Sequence, residues 1–294
     1  MAAPVTDPAV APLIEHAALG DVTLGYVSRG QGPLVICLHG FPDTLDGFLP
    51  VLDALAAAGF RAVAPGMRGY LPSSRAISGR YRVEELAQDV VGLADALGAD
   101  TFSIIGHDWG AVTAYAAANL APQRVRRLVT AAVPHTAHFL RSPTLQQLRR
   151  SHYIFRFQLP GWAERRIPRD DFAWLRGLIR SWSPDWPYRE ADLARLLATM
   201  SDPARLKATI QYYRELPRGL ASAQTRRLVF GTVAAPTRII YGGRDGCIGS
   251  EMFPGQSAHF ATPPDLCLIP DAGHFMQWEQ PQRFAELAVE FLSR

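Results

Sequence analysis

The segment from Thr101 to Leu120 predicts a strand that turns sharply into a helix, with an acidic side chain at the turn. Its first residues have the apolar pattern of a buried strand, and its last ones are small residues at helical spacing. Gly106 and Gly110 stand on either side of Asp108, as such a turn requires, because no side chain fits there. The turn lifts Asp108 above the end of the strand, where its carboxylate can attack carbon and form an ester. Taken alone, the same pattern is also typical of an ordinary turn in which an Asp caps a helix.

The rest of the chain alternates strand patterns with helix patterns. This alternation predicts an α/β fold with a mostly parallel central sheet and helices on both of its faces. Leu34–Leu38 is continuously apolar, as in a parallel strand that is covered on both faces. Ile14–Ser28 alternates around a Gly20-Asp21 turn, which predicts an antiparallel hairpin. The other strand patterns cover Arg61–Ala64, Val125–Val133, Thr237–Tyr241 and Leu266–Ile269, and the helix patterns cover Leu45–Ala57, Val83–Leu97, Met252–Phe260 and Pro281–Leu292.

A long segment between two of these strands has a different character. From His135 to about Val229 the chain is rich in arginine and aromatic residues, its apolar residues recur at helical spacing, and no strand pattern interrupts them. A segment of about 95 residues is too long for a loop. We therefore predict a flexible tail over residues 1–12, a core over residues 13–134 and 231–294, and an inserted helical cap over residues 135–230.

Charge and apolar patterning exclude two kinds of partner. The net charge is +3, and Lys207 is the only lysine. The chain has no dense basic run with interleaved aromatic residues, the pattern that would predict nucleic-acid binding. No apolar run reaches membrane length, and the first residues lack the features of a signal peptide, which predicts a cytoplasmic protein. Three cysteines, Cys37, Cys247 and Cys267, are an odd number, and two of them lie in apolar strand patterns. We expect buried free thiols rather than disulfides or metal ligands.

Two loops late in the chain carry further polar side chains. Asp245 follows the strand pattern that ends at Tyr241, and His274 follows the next strand pattern. Each residue also has an ordinary structural explanation: Asp245 could form a turn, and His274 could be a polar loop residue. The carboxyl ends of parallel strands meet at one edge of a sheet, so their joint occurrence with Asp108 indicates a single site. Asp271 is a competing acid, but it stands three residues before His274 in the same loop and is better explained as a turn residue.

The chain resembles an α/β-hydrolase of the epoxide hydrolase type, and the likeness runs over nearly its whole length. The matching segments are HGFP at 39–42, RGY at 68–70, GHDWG at 106–110, GGRD at 242–245 and GHF at 273–275. The resemblance implies a nucleophile, acid and histidine in the chain order Asp108, Asp245, His274. His107 beside the nucleophile is interpreted as a hydrogen-bonded core histidine.

The resemblance also implies an oxyanion hole and a substrate pocket. The backbone N–H groups of Phe41 and Trp109 are expected to hold the oxyanion, although HGFP by itself is equally typical of a simple strand-to-helix turn. Substrate is expected to contact His39, Pro42, Trp109 and Phe275.

Two cap segments resemble the family's tyrosine-bearing segments. YIFRFQLPGWAE places Tyr153, and QYYRELP places Tyr213, with Tyr212 as the less favoured neighbour. Cap tyrosines are usually packing residues, but opening an epoxide leaves an alkoxide that needs a proton or strong hydrogen bonds. The resemblance therefore implies that Tyr153 and Tyr213 bind the epoxide oxygen.

The implied reaction needs neither metal nor organic cofactor. Asp108 attacks an epoxide carbon to form a hydroxyalkyl ester, and His274, oriented by Asp245, activates the water that hydrolyses the ester to a vicinal diol. The partners are then a small apolar epoxide and water, with no nucleic acid or membrane. The sequence leaves open whether the chain forms a homo-oligomer.

Two alternatives remain at this point. A haloalkane or haloacid dehalogenase would use the same Asp nucleophile, and Trp109 and the cap tryptophans could bind a departing halide. Phe41 stands where many haloalkane dehalogenases carry Asn, however, and no Arg closely follows Asp108, as it does in haloacetate enzymes. The second alternative is a non-catalytic ligand receptor or binding module with this fold, which would have no need for nucleophile, acid and base together.

Overall fold

The computed structural model describes residues 12–141 and 143–294. Residues 1–11 of the predicted tail lie outside the described residues. No helix in the described part of the chain is both long and apolar enough to cross a membrane. The same residues contain no group of three or more His, Cys, Asp or Glu side chains arranged to hold a metal ion.

A twisted sheet, with eight strands in the described residues, forms the centre of the fold. The strands are β1 Glu15–Ala18, β2 Thr23–Arg29, β3 Leu34–Leu38, β4 Arg61–Pro65, β5 Phe102–His107, β6 Val125–Ala131, β7 Thr237–Gly242 and β8 Asp265–Ile269. Their order in the sheet is β1-β2-β4-β3-β5-β6-β7-β8. Strands β1 and β2 form the predicted antiparallel hairpin, and β4, β3, β5, β6, β7 and β8 run parallel to one another.

Helices cover both faces of this sheet, which confirms the predicted α/β class. Helices α1 Leu49–Ala57 and α13 Pro281–Leu292 cover one face, and α2 Val83–Ala96, α3 Trp109–Leu120 and α11 Ala223–Phe230 cover the other. Strand β3 contributes to both cores: Ile36 packs under α2 and α3, whereas Val35 and Cys37 pack under α1 and α13. This two-sided burial explains its uninterrupted apolar sequence.

In the described residues between β6 and β7, all of the regular elements are helices. Its helices also contact the core through polar side chains: the Tyr212 hydroxyl donates to the Arg68 carbonyl at 2.8 Å, and Arg195 pairs with Asp46 at 2.8 Å. The helices are α4 Thr136–Arg141, α5 Leu145–Arg150, α6 His152–Phe157, α7 Trp162–Arg166, α8 Ala173–Trp182, α9 Glu190–Ser201, α10 Pro203–Gly219 and then α11, with the short α12 Met276–Glu279 lying after β8.

Three local predictions need correction. Leu45–Ala57 is not one helix, because a 3₁₀ turn at Leu45–Phe48 precedes α1. Met252–Phe260 is not an α-helix: it begins at the end of one 3₁₀ turn, Ser250–Met252, and includes a second, Ser257–His259. Pro254 and Gly255 lie between the two turns and disfavour a continuous helix. Cys37, Cys247 and Cys267 are free thiols as predicted, but Cys267 is only half-buried because it lies on the edge strand β8.

Candidate active site

Asp108 stands alone between β5, which ends at His107, and α3, which begins at Trp109. Its backbone has φ 52° and ψ −119°, a conformation that is costly for any residue other than glycine. A Cβ atom on Gly106 would lie 2.3 Å from the carbonyl oxygen of Gly110, and one on Gly110 would lie 2.0 Å from that of Leu38. Both glycines are therefore required for the turn that presents Asp108.

The loop after β3 holds one oxygen of the Asp108 carboxylate. The backbone N–H of Phe41 donates to Asp108 Oδ1 at 2.7 Å. Gly40 makes this approach possible, since a Cβ there would lie 2.5 Å from the same oxygen and 2.6 Å from the backbone nitrogen of Trp109. The loop that carries Phe41 is itself anchored by Asp43, which accepts hydrogen bonds from Gln277 and Trp278, each at 3.0 Å.

The other oxygen of Asp108 faces a histidine. His274 Nε2 lies 3.6 Å from Asp108 Oδ2, and His274 Nδ1 lies 2.9 Å from Asp245 Oδ2. Asp245 is fixed in turn, because its Oδ1 accepts from the backbone N–H groups of Cys247 at 2.6 Å and Ile248 at 2.9 Å. Asp271, the competing acid, lies in an exposed turn.

The charges around His274 favour its protonated form in the resting protein. Burial alone lowers the pKa of His274, but the carboxylates of Asp245 and Asp108 outweigh it and raise that pKa to about 10. Two opposite charges therefore stabilise an imidazolium on a fully buried side chain. Loss of the negative charge on Asp108 would remove part of this stabilisation.

His107, the neighbour of Asp108, supports the backbone of the histidine loop. Its Nε2 lies 2.9 Å from the carbonyl oxygen of His274, whose backbone N–H donates to the Trp182 carbonyl at 3.0 Å. Burial and the nearby His274 lower the pKa of His107 to about 3. His107 is thus neutral and matches the predicted hydrogen-bonded core histidine.

Helices α6 and α10 bring two tyrosines together. The rings of Tyr153 and Tyr213 pack edge to face, with centroids 5.8 Å apart, and both residues are only 4% exposed. The Tyr153 hydroxyl lies 3.7 Å from Cys247 Sγ, whereas the Tyr213 hydroxyl has no hydrogen-bond partner among the described residues. Burial raises the pKa of both phenols well above the usual value, so both keep their protons. Tyr212, the less favoured neighbour, bonds the core instead.

A cavity of about 280 Å³ joins Asp108 to both tyrosines. Apart from these three residues its wall is almost wholly apolar, as in many small-molecule sites. The lining residues are Asp108, Trp109, Val112, Val133, Thr136, Phe139, Leu140, Tyr153, Ile154, Tyr213, Leu216, Pro217, Leu220 and Ile248.

The predicted pocket residues need correction, because of the four only Trp109 lines this cavity. His39 is fully buried, and its Nε2 accepts the backbone N–H of Met67 at 3.0 Å. Phe275 is equally buried and packs against Trp186 and the back of His274. Pro42 is buried in the loop after Phe41. None of these three buried residues lines the cavity.

Sequence reasoning missed two polar side chains at the site, Cys247 against Tyr153 and Thr136 in the cavity wall. The sequence signal that could have identified Cys247 was its position two residues after Asp245. No sequence signal pointed to Thr136, because it begins a short helix that only the folded chain brings over Asp108.

The chain is similar to known proteins over nearly its whole length. The profile of the alpha/beta hydrolase fold family matches residues 33–281. Epoxide hydrolase A of Mycobacterium tuberculosis is 30% identical over 322 residues, which cover 96% of this chain and 98% of that protein. A protein of the AB hydrolase superfamily from Bacillus subtilis is 28% identical over 277 residues, covering 92% of this chain and 94% of that protein.

A solved structure shows a similar fold over nearly the whole chain. The Bacillus megaterium epoxide hydrolase, crystallised with an inhibitor, superposes with a TM-score of 0.81 at 26% identity. The match covers 95% of this chain and 100% of that one.

Proposed function

Because the chain belongs to the alpha/beta hydrolase family, and within it to the epoxide hydrolases, we propose that it converts an apolar epoxide to a vicinal diol through an ester on Asp108. One observation carries the proposal: a single cavity joins a carboxylate held by Phe41 and His274 to two protonated phenols. The carboxylate supplies a nucleophile, and the phenols supply protons for the ring oxygen.

In the first step, Asp108 opens the ring. Oδ1 stays on the Phe41 N–H, so Oδ2 attacks an epoxide carbon and forms a C–O bond while the bond from that carbon to the ring oxygen breaks. The ring oxygen takes the electron pair of the broken bond and a proton from a phenol, Tyr213 or Tyr153. The product of this step is a neutral hydroxyalkyl ester.

In the second step, His274 activates water. Ester formation removes the negative charge of Asp108, which lowers the pKa of His274. The proton that His274 then loses neutralises the phenolate left by the first step. The neutral imidazole, oriented by Asp245, then takes a proton from water as the water oxygen attacks the Asp108 carbonyl carbon. Collapse of the tetrahedral intermediate breaks the ester bond, and the departing alkoxide takes the proton of the newly formed Asp108 carboxyl group and leaves as the diol. Asp108 is again a carboxylate and His274 is again an imidazolium. The net reaction is epoxide plus water to diol.

Backbone N–H groups stabilise the oxyanion of that intermediate. Phe41 already donates to Oδ1, the oxygen that becomes the oxyanion, and we assign the N–H of Trp109, close beside it, as the second donor. Each donor is expected to contribute roughly 3 kcal/mol to transition-state stabilisation.

We assign residues 135–230 as a cap domain over residues 13–134 and 231–294, because these helices supply both tyrosines and most of the cavity wall. The apolar wall favours a small apolar substrate. A cytoplasmic location, expected from the sequence, remains part of the proposal.

An intact-mass experiment tests the chemistry. The His274→Ala protein, which forms the ester but cannot hydrolyse it, is exposed to a compound bearing both an epoxide and a carbon–chlorine bond. An adduct of the whole probe mass, mapped to Asp108, supports ring opening. An adduct lighter than the whole probe by hydrogen chloride would show halide displacement. The proposed function would then be dehalogenation rather than epoxide hydrolysis. The Asp108→Ala, His274→Ala double variant controls for random alkylation.

A further inference from the structure

Thr136 differs from the other buried threonines of the described chain in the state of its hydroxyl. It is 3% exposed, and its Oγ1 is buried without a hydrogen-bond partner among the described residues. The hydroxyl of every other buried threonine there has a side-chain or carbonyl partner. The pairs are Thr44 with Asp46, Thr113 with Trp109, Thr130 with Tyr115, Thr199 with Arg195, Thr209 with Leu206, Thr225 with Glu84 and Thr237 with Ala235.

The usual local partners of a threonine are not used at Thr136. Inside a helix the hydroxyl bonds a carbonyl oxygen one turn earlier, and at the capping position just before a helix it accepts an N–H of the first turn. Thr136 is the first residue of α4, one position after the capping position, and its hydroxyl has neither kind of local partner. A buried hydroxyl without a partner costs free energy, so such groups in folded proteins call for a specific explanation.

The position of Thr136 explains its unpartnered hydroxyl, because Thr136 lines the cavity that contains Asp108. The proposed reaction already gives roles to the other polar groups of the wall, namely Asp108, Tyr153, Tyr213 and the backbone of Trp109. Thr136 is the polar side chain left over in an otherwise apolar wall. A few placed polar groups in such a wall commonly set orientation and specificity.

We propose that the Thr136 hydroxyl determines specificity by hydrogen-bonding an oxygen atom in the substituent of the epoxide. The preferred substrates are then epoxides whose substituent carries an ether, hydroxyl or carbonyl oxygen, rather than plain hydrocarbon epoxides. This inference rests on the proposed function and names its substrate class.

A matched series of substrates tests it. 1,2-Epoxyoctane is compared with analogues of the same chain length in which one methylene, at successive positions, is replaced by an ether oxygen. For the wild-type protein, kcat/KM relative to the hydrocarbon is expected to peak at one oxygen position. The peak is expected to reach about 3- to 10-fold above the neighbouring positions, the worth of one neutral hydrogen bond.

Two variants assign the effect to the hydroxyl. Thr136→Val keeps the shape but removes the hydroxyl, and it is expected to abolish the peak in kcat/KM along the series. Thr136→Ser keeps the hydroxyl and is expected to retain the peak. A flat series for the wild type, or a peak that survives in Thr136→Val, would overturn the inference.

Thermal unfolding separates specificity from a structural role. Because the hydroxyl bonds no described residue, the Tm of Thr136→Val is expected to equal or exceed that of the wild type. A drop of several degrees would show that Thr136 is structural and contradict the inference. Failure of the wild type to hydrolyse any epoxide of the series would instead overturn the proposed function itself, so the two failures are distinguishable.

Discussion

His274 Nε2 lies 3.6 Å from Oδ2 of Asp108, while Oδ1 of the same carboxylate accepts the Phe41 N–H at 2.7 Å. The two oxygens of the nucleophile therefore have different surroundings before any substrate binds. In the proposed mechanism, Oδ1 already occupies the place of the later oxyanion, and Oδ2 is the oxygen that attacks. The contact between His274 and Oδ2 pairs the imidazole with a negative charge that ester formation would remove, so the proposed first step would prepare the base for the second.

The pH dependence of stability tests this charge coupling. The folded pKa of His274, about 10, lies above the ordinary value of 6.5, so its contribution to stability is full below about pH 6.5 and is lost as pH rises towards 10. The free energy of unfolding should fall across this window by up to about 1.4 kcal/mol per pH unit from this group. Asp108→Asn removes one of the two carboxylates and so lowers the folded pKa of His274; the fall in its free energy of unfolding should also start near pH 6.5 but should end at a lower pH and be smaller in total. Urea denaturation of both proteins from pH 6 to 10 measures the difference, and superimposable profiles would contradict the coupling.

The two phenols should be separable by conservative substitution. We expect Tyr213→Phe to lower kcat/KM about 100-fold, since it removes a proton donor, and to leave the Tm unchanged because that hydroxyl bonds no described residue. Tyr153→Phe should also lower kcat/KM, but it additionally breaks the contact with Cys247.

Tyr188→Phe is the matched control for these substitutions, because it removes another buried hydroxyl without a partner among the described residues, outside the cavity wall. Its kcat/KM should remain at the wild-type value. Retained activity in a Tyr153→Phe, Tyr213→Phe double variant would show that neither phenol protonates the ring oxygen.

Gly40 should tolerate no side chain. In Gly40→Ala the added Cβ would lie 2.5 Å from Asp108 Oδ1, so either the Phe41 loop or the nucleophile must move, and we expect kcat/KM to fall at least 100-fold. Gly177→Ala is the control, because no atom lies within 4 Å of its added Cβ and it is exposed in the interior of α8. This control should keep full activity and raise the Tm by about 1–3 °C. Wild-type rates in Gly40→Ala would disprove the tight approach.

Asp245→Asn should slow hydrolysis of the ester far more than its formation. The Asn oxygen can still accept the N–H groups of Cys247 and Ile248, so the loop is retained, but the charge beside His274 Nδ1 is lost. The pKa of His274 falls, and its tautomer is no longer fixed. By analogy with other catalytic triads we expect the hydrolytic step to slow by roughly 10⁴-fold. Intact mass spectrometry during turnover should therefore show accumulated ester, and an ester-free protein at steady state would contradict the role of Asp245.

The strongly patterned parts of the fold were predictable from sequence. Strand β3 and helix α13 have the predicted bounds, because two-sided burial and a regular apolar stripe both appear in local sequence. The segment Met252–Phe260 was wrongly predicted as helix, since its apolar spacing is helical while Pro254 and Gly255 lie between two 3₁₀ turns.

The residues of the site also differ in whether they could be predicted from sequence. Asp108, Asp245 and His274 could be named because each follows its own strand, and parallel strands carry such residues to one edge of the sheet. The cavity wall could not be predicted. His39 and Phe275 stand next to motif residues in sequence yet pack behind the site, whereas Thr136 is distant from every motif and faces the same cavity as Asp108. Wall residues depend on how the cap helices lie over the sheet, and no local pattern encodes that arrangement.

The source of the new oxygen tests the central claim, covalent catalysis by Asp108, most directly. A single turnover is run in ¹⁸O-labelled water, with the protein in molar excess over 1,2-epoxyoctane or its best ether analogue. If Oδ2 of Asp108 attacks the epoxide, the diol from the first turnover carries no label, and the ¹⁸O appears in the peptide that contains Asp108. A labelled diol with an unlabelled Asp108 peptide would show direct attack by water and contradict the covalent mechanism.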